Sequence, residues 1–422
     1  MTITRRDVLI GGAASVTALS TGAISTGALA QTPTEIVIGA TYPMSGANAQ
    51  IGVDATHAFN TALDIVNNDV DLDIIMAKGK GLPGLGGATL KLVMADHQSD
   101  PQKGRAEAER LITQDKVSAL IGTYQSAVAA TVSQTAERYQ TPFLSADNSS
   151  PSLHRRGLKY YFRAAPHDEM FSKAMFDFFD DLRKKGNKIE TLALFHEDTI
   201  FGTDSANAQT TFAKERGYKI LVDIKYRANS PSLTAEVQQL KAADADVLMP
   251  SSYTTDSILL VKTMAELGYK PKAIVAQDAG FSEKALYDAV GDKLEGVISR
   301  AAFSLDLAQK RPAVGVVNDM FKKRSGKDLN DLTSRQLMGL LVLAEAIDRA
   351  KSADGEKIRE ALVATNIPGE KTIMPWKDVK FDEMGQNNDC DPVLLQYVKG
   401  KFVTIFPPQG AVADAIWPMN KA

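Results

Sequence analysis

The sequence predicts an α/β protein with two doubly wound parallel sheets in two lobes, and three observations carry that prediction. Short β-branched runs alternate with helix-length amphipathic segments from Glu35 to Arg300, the pattern of parallel sheets covered by helices on both faces. The alternation restarts after Tyr160 to Arg163, so a second sheet follows the first. From Pro312 onward helices dominate, and the last strand candidates come after them, so the chain crosses between lobes more than once.

In the first lobe, Glu35 to Thr41 reads as a strand, followed by a loop with Pro43, Ser45 and Gly46 and a helix from Val53 to about Asn68. Thr89 to Asp96 is the next strand. Asp100 then caps a helix running to Gln114, with Pro101 at its first position, where a missing N–H costs nothing. Ala119 to Gly122 and Phe143 to Ser145 are strands flanking a helix from about Ser126 to Tyr139, and the chain turns through Asp147-Asn148-Ser149-Ser150-Pro151. The second lobe repeats the pattern. Its helices are Glu169 to Lys185, Thr203 to Arg216, Leu233 to Ala243 and Thr255 to Leu267; its strands are Thr191 to His196, Lys219 to Tyr226, Val247 to Pro250, Ala273 to Ala276 and Gly296 to Ser299. Val314 to Arg324, Ser334 to Lys351 and Glu356 to Ala364 are helices. Val379 to Phe381, Val393 to Lys399 and Phe402 to Phe406 are strands, the last two joined by a tight turn at Gly400-Lys401.

Composition narrows the function. The chain has 422 residues, with 48 basic and 51 acidic side chains and a formal charge of -3, which leaves no electrostatic footprint for nucleic acid or an anionic membrane. Cys390 is the only cysteine, so no internal disulfide is available. At the start, Arg5 and Arg6 precede a stretch from Val8 to Thr34 without a charged side chain, and Ala28-Leu29-Ala30 supplies small residues for cleavage. Residues 1–30 are expected to be an export signal of the twin-arginine type. A permanent anchor is the competing reading, but glycine, serine and threonine dilute the run.

Several catalytic and cofactor motifs are missing or misplaced. Gly79-Lys80-Gly81-Leu82-Pro83-Gly84 spells a dinucleotide fingerprint, yet no strand precedes it and no helix follows, so a loop is expected. There is no phosphate-binding loop with Gly-Lys-Ser/Thr and no Gly-x-Ser-x-Gly nucleophile elbow, and no two of the five histidines have metal-binding helical spacing. No cofactor or metal is expected. The suggestive features lie after strand ends, where ligands bind in open α/β sheets. Tyr124-Gln125-Ser126, Asp147-Asn148-Ser149, Phe201-Gly202, Ser251-Ser252-Tyr253 and Asp278 all fall there. Hydroxyls and amides at a helix start suit a carboxylate, and an aspartate suits an ammonium. Equally, Ser126 and Ser149 fit as caps or turn residues, and Asp278 as a loop residue.

Asp96-His97-Gln98-Ser99-Asp100-Pro101-Gln102, then Ala106, Ala108, Leu111-Ile112 and Val117-Ser118-Ala119-Leu120-Ile121-Gly122, closely resemble the first-lobe signature of the leucine/isoleucine/valine-binding family. These are substrate-binding proteins of ABC transporters with the type I periplasmic fold. The similarity extends from Ile38-Gly39-Ala40 and Met44-Ser45-Gly46 to Phe381-Asp382-Glu383-Met384-Gly385 and Gly400-Lys401-Phe402-Val403.

The resemblance implies a periplasmic, non-enzymatic receptor that closes two lobes, joined by three strands, on an amino acid or related small amide and delivers it to a membrane permease. A sensor of the same fold and an exported hydrolase are the alternatives. It implies lobes of residues 31–165 plus 302–375 and 166–301 plus 376–422. It also implies that Ser126 and Ser149 hold a ligand carboxylate, that Asp278 receives an ammonium, and that Phe201 and Tyr253 line the second lobe. Asp147 falls where the family uses a backbone group. Departures from the pattern bear on selectivity. Ile51 precedes Gly52 where many relatives have an aromatic, and Tyr124 stands where relatives can have cysteine. Asp147 would repel a carboxylate unless paired, and Ala77 to Gly87 is an insertion expected near the cleft rim.

Overall fold

The computed structural model describes residues 33–419, so the export signal expected over residues 1–30 lies outside the described residues. The first half of the molecule comprises β1 (Glu35–Tyr42), α1 (Ala49–Asn67), β2 (Thr89–Asp96), α2 (Pro101–Thr113), β3 (Ala119–Gly122), α3 (Ser126–Arg138), β4 (Phe143–Ser145) and β5 (Tyr161–Arg163). All strands are parallel, in the order β2-β1-β3-β4-β5. The second half follows with α4 (Asp168–Lys184), β6 (Thr191–Glu197), α5 (Ile200–Glu215), β7 (Lys219–Tyr226), α6 (Thr234–Ala243), β8 (Val247–Ser251), α7 (Thr254–Glu266), β9 (Val275–Ala276), α8 (Lys284–Val290) and β10 (Ile298–Ala301).

The remaining elements are α9 (Pro312–Ser325), α10 (Asp331–Ala350), α11 (Gly355–Val363), β11 (Ile367–Pro368), β12 (Asp378–Val379), β13 (Val393–Val398) and β14 (Lys401–Phe406). β7-β6-β8 form one parallel group, linked by a bridge from Leu248 to Ile274 to the group β9-β10-β13-β14, in which β13 and β14 run antiparallel. Side chains of α9, α10 and α11 pack with α1 and the first sheet in a single apolar core.

Local chemistry sets the boundaries. Asp100 caps α2 by accepting from the backbone N–H groups of Gln102 and Lys103, as its sequence requires. Asn330 caps α10 in a reciprocal box with Thr333. The final hairpin turns one residue earlier than expected, at Lys399-Gly400, because both adopt positive φ, 51° and 80°, which a type I′ turn demands. Residues 376–390, expected in the second lobe, return instead to the first core: β12 pairs with β11, and Trp376, Val379 and Cys390 are buried there. Asn387 binds that return segment to the first crossing, donating from N to Arg163 O at 3.0 Å and from Nδ2 to Ala164 O at 3.0 Å.

The glycine-rich stretch 77–87 makes no dinucleotide turn. It contains a short 3-10 turn over Pro83–Leu85, and Leu82 and Leu85 are buried in the core that α1 and α10 share. Gly84 N donates to Asp348 Oδ1 at 2.7 Å, at the carboxyl end of α10. The insertion therefore sits about 20 Å along that helix from its cleft-facing first turn, correcting the expectation of a rim position. A Cβ on Gly84 would stand 2.1 Å from Asp348 O. Gly84→Ala is accordingly expected to cost about 1 to 3 kcal/mol of stability by overpacking, read as a lowered urea midpoint at unchanged slope, while ligand affinity measured by calorimetry stays as it was.

Candidate functional site

Two loops at the carboxyl ends of β3 and β4 form one wall of a cleft, and Asn148 stitches them together. Its Oδ1 accepts from Thr123 N at 2.9 Å and Ser145 Oγ at 3.0 Å, and its Nδ2 donates to Tyr124 O at 2.8 Å. Held this way, Tyr124 takes a positive φ of 86°, and Ser126 opens α3 with its N–H pointed across the cleft. The opposite wall comes from the second half. Glu197 accepts from Thr199 N and Gly202 N, which fixes the start of α5 and with it Phe201. Tyr253 precedes α7 at the end of β8.

These elements surround a small cavity lined by Tyr124, Ser126, Asp147, Ser149, Phe201 and Tyr253, with Ala279, Arg300, Leu332 and Arg335 completing it. Six of the eight sequence-predicted residues thus meet in one cavity. The walls touch: Ser126 N donates to Tyr253 Oη at 3.3 Å, and Tyr124 Oη lies 3.4 Å from Thr254 Oγ1. The Tyr253 ring stands 5.1 Å from that of Tyr124 and 5.0 Å from that of Phe201. At the mouth, Ser150 Oγ and Ser152 N both donate to Asp204 of α5. This is a closed arrangement.

Asp147 is paired. Its Oδ2 accepts from Tyr42 Oη at 3.1 Å and Gln336 Nε2 at 2.8 Å, its Oδ1 from Tyr124 N at 3.2 Å, and its backbone O from Arg335 Nη1 at 2.7 Å. Burial still pushes its carboxyl above the usual range, against the pull of Arg335 and Gln336. Ile51 is not part of the lining; it is buried in the apolar core of the first half. Asp278 lies behind the lining, beside Ala279, and its Oδ2 accepts from Arg300 Nη1 at 2.9 Å.

Arg300 and Arg335 are what sequence reasoning missed. Arg300 ends β10 with its guanidinium 3.6 Å over the Phe171 ring and only 4.0 Å from Asp168. Arg335 sits one turn into α10, paired with Asp331 at 2.5 Å. The available signal was an i,i+4 Asp331/Arg335 pair at the start of a helix that is otherwise apolar on its inner face. Among the described residues, no group of three or more His, Cys, Asp and Glu side chains is placed to hold a metal ion.

Comparison with known proteins agrees with this architecture. Residues 35–401 match a family model described as periplasmic binding protein. The chain is 30% identical over 417 residues to Leu/Ile/Val-binding protein homolog 7 of Brucella suis biovar 1 (strain 1330), covering 95% of this chain and 98% of that protein. Among solved structures, a leucine-binding protein from Thermotoga maritima MSB8 superposes with a TM-score of 0.74 at 21% identity, covering 87% of this chain and 97% of the other. A solute-binding protein of an ABC transporter from Rhodopseudomonas palustris BisB5, in complex with 3,4-dihydroxy benzoic acid, gives 0.73 at 18% identity, with 91% and 99% covered. With a cleft at the strand ends of two α/β halves and a family match over nearly the whole described length, this chain belongs to the periplasmic binding proteins of the Leu/Ile/Val-binding type.

Proposed function

We propose that this chain is an exported receptor that captures an amino acid or a related small carboxylate-bearing molecule in its cleft and passes it to an ABC transporter permease. The carrying observation is a single cavity closed from both sides, with Ser126 at a helix start and Ser149 on one wall and the aromatic rings of Phe201 and Tyr253 on the other. A carboxylate placed at the α3 start meets backbone N–H groups and the positive end of the helix dipole. The aromatic wall then covers an apolar body. Closing requires that the ligand bind the closed form more tightly than the open one, since equal affinity shifts nothing. Delivery to a permease is what the family type supports, and the basic, then apolar, then small-residue pattern at the amino terminus supports export.

A second reading has its own observation. Asp278 is engaged by Arg300, and Arg300 itself lines the cavity, which favours an acid without an ammonium, such as an aromatic carboxylate. A thermal-shift screen of amino acids, their carboxamides, the matching deaminated acids and 3,4-dihydroxybenzoate separates the readings, because a ligand at 100 times its dissociation constant adds about 2.7 kcal/mol of stability. Ser126→Ala is expected to weaken a carboxylate ligand by about 1.5 to 3 kcal/mol in titration calorimetry; equal binding of an acid and its carboxamide would remove the serine from that role. Asp278→Ala separates the ligands further. It should weaken an ammonium-bearing ligand by roughly 2 to 5 kcal/mol, whereas an acid lacking the ammonium keeps or gains affinity because Arg300 is released.

A further inference from the structure

The cleft floor presses two acids from opposite halves against each other. Asp278 follows β9 in the second half and Asp331 is the first residue of α10, which packs in the first, yet their carboxylates converge on the same pair of guanidiniums. Their Oδ2 atoms share the same two nitrogens. Arg300 Nη1 lies 2.9 Å from Asp278 and 3.6 Å from Asp331, and Arg335 Nη2 lies 3.6 Å from Asp278 and 2.5 Å from Asp331. All four side chains are buried, and Asp278 Oδ1 has no hydrogen-bond partner. Two buried carboxylates crowded onto the same nitrogens raise each other's affinity for a proton.

We infer that Asp278 and Asp331 share one proton when the two halves are closed, so that closing the cleft takes up a proton. The inference rests on the closing motion proposed above and not on the identity of the ligand.

The surroundings favour that proton. Besides the two arginines, the pair faces Asp168 at the start of α4, Glu283 ahead of α8 and Tyr287 within α8. Glu283 is buried and accepts from Asn330 Nδ2 at 3.2 Å, while Lys327, the nearest further cation, is taken by Asp54 at 2.8 Å. Asp147 adds a further carboxylate on the other side of Arg335. Acids therefore outnumber the guanidiniums around the pair; burial, with Asp54 and Asp278 reinforcing, pushes Glu283 up to about 8, and burial also raises Asp147 and Asp168, so Glu283 carries a proton of its own beside the one assigned to the pair. Burial, with Arg300 opposing and Asp331 reinforcing, pushes Asp278 up to about 7, while Arg335 holds Asp331 below the usual range in spite of burial.

The sign follows from which state binds the proton. Opening separates the acids and returns Asp278 toward the ordinary 3.8. Closure thus gains nothing above about pH 7, strengthens by up to about tenfold per unit as pH falls from there, and levels off below the ordinary carboxylate value.

The closed form can be trapped without ligand by a disulfide between Ser152→Cys and Asp204→Cys, which meet at the mouth of the cleft; buried Cys390 does not compete. Infrared difference spectra of this cross-linked chain should show a protonated carboxyl band at about pH 5 that is gone by about pH 9. The band should lose the same component in Asp278→Asn and in Asp331→Asn; Glu283→Gln removes a separate component, that of the neighbouring acid pushed up to about 8, and leaves the shared one, which should move down the pH scale when the disulfide is reduced. Absence of the band in the cross-linked parent, a band undiminished in Asp331→Asn, or a titration unchanged by reduction would each overturn the inference.

Discussion

The buried ion cluster of Arg335, Asp331, Arg300 and Asp278 is the constraint on which the cleft depends. Four charged side chains away from water are tolerable only if each is paired, and breaking such a set leaves an uncompensated charge that costs about 3 to 5 kcal/mol. Its members come from the end of β10, the loop after β9 and the first turn of α10. The cluster therefore fixes where α10 begins relative to the second sheet. From there the constraint passes outward: Arg335 holds the Asp147 backbone, Asp147 holds the Tyr124 N–H, and Asn148 ties both loops together. The serines at the α3 start and in the β4 loop inherit their positions from this chain of contacts.

Rigid and movable contacts are distributed unevenly. Where the chain crosses between halves, Arg163 is fully buried and donates to Gln386 Oε1 at 2.6 Å and Ser150 O at 2.8 Å, and Asn387 bonds back to Arg163 and Ala164. Contacts across the cleft are different in kind. Ser150, Ser152 and Asp204 at the mouth, and the Tyr124–Thr254 and Ser126–Tyr253 pairs inside, are separate polar contacts, accompanied by the packing of the Tyr253 ring on Tyr124 and of Ile200 on the first half. Each polar contact is worth about 0.5 to 1.5 kcal/mol at most, less than the about 3 to 5 kcal/mol at stake in the ion cluster.

Much of this was legible in the sequence because local pattern and fold agree. β2, β3, β4 and β7 occur with the expected bounds, and Asp100-Pro101 opens α2 as written. The start of α1 was not legible: its cap, Asn48, makes no side-chain capping bond, and tertiary packing begins the helix at Ala49. α8 and β11 escaped because each is too short for periodicity to register. At the site, the serines and aromatics follow from strand-end position. Arg300 and Arg335 do not: Arg300 meets Asp278 from 22 residues away, and the local Asp331/Arg335 pair looks like any surface i,i+4 pair and gives no sign of burial. Asp147 posed a question the sequence left open, and Tyr42, Gln336 and Tyr124 answer it by pairing the carboxyl.

Helix α10 explains why the two most eye-catching motifs differ in consequence. Its first turn carries Asp331 and Arg335 into the cleft, while Asp348 near its far end receives the amide of Gly84 from the glycine-rich loop. That loop has the letters of a phosphate-binding turn, but its amide is already occupied by a carboxylate, its leucines are in the core, and β2 follows it where a helix would have to begin. An anion approaching Gly84 would have to displace Asp348 and would gain no helix dipole in return. At the start of α3, by contrast, the Ser126 amide faces the cavity with only the Tyr253 hydroxyl, a neutral acceptor at 3.3 Å, before it, so an incoming anion has no carboxylate to displace there and meets the amino end of a 13-residue helix.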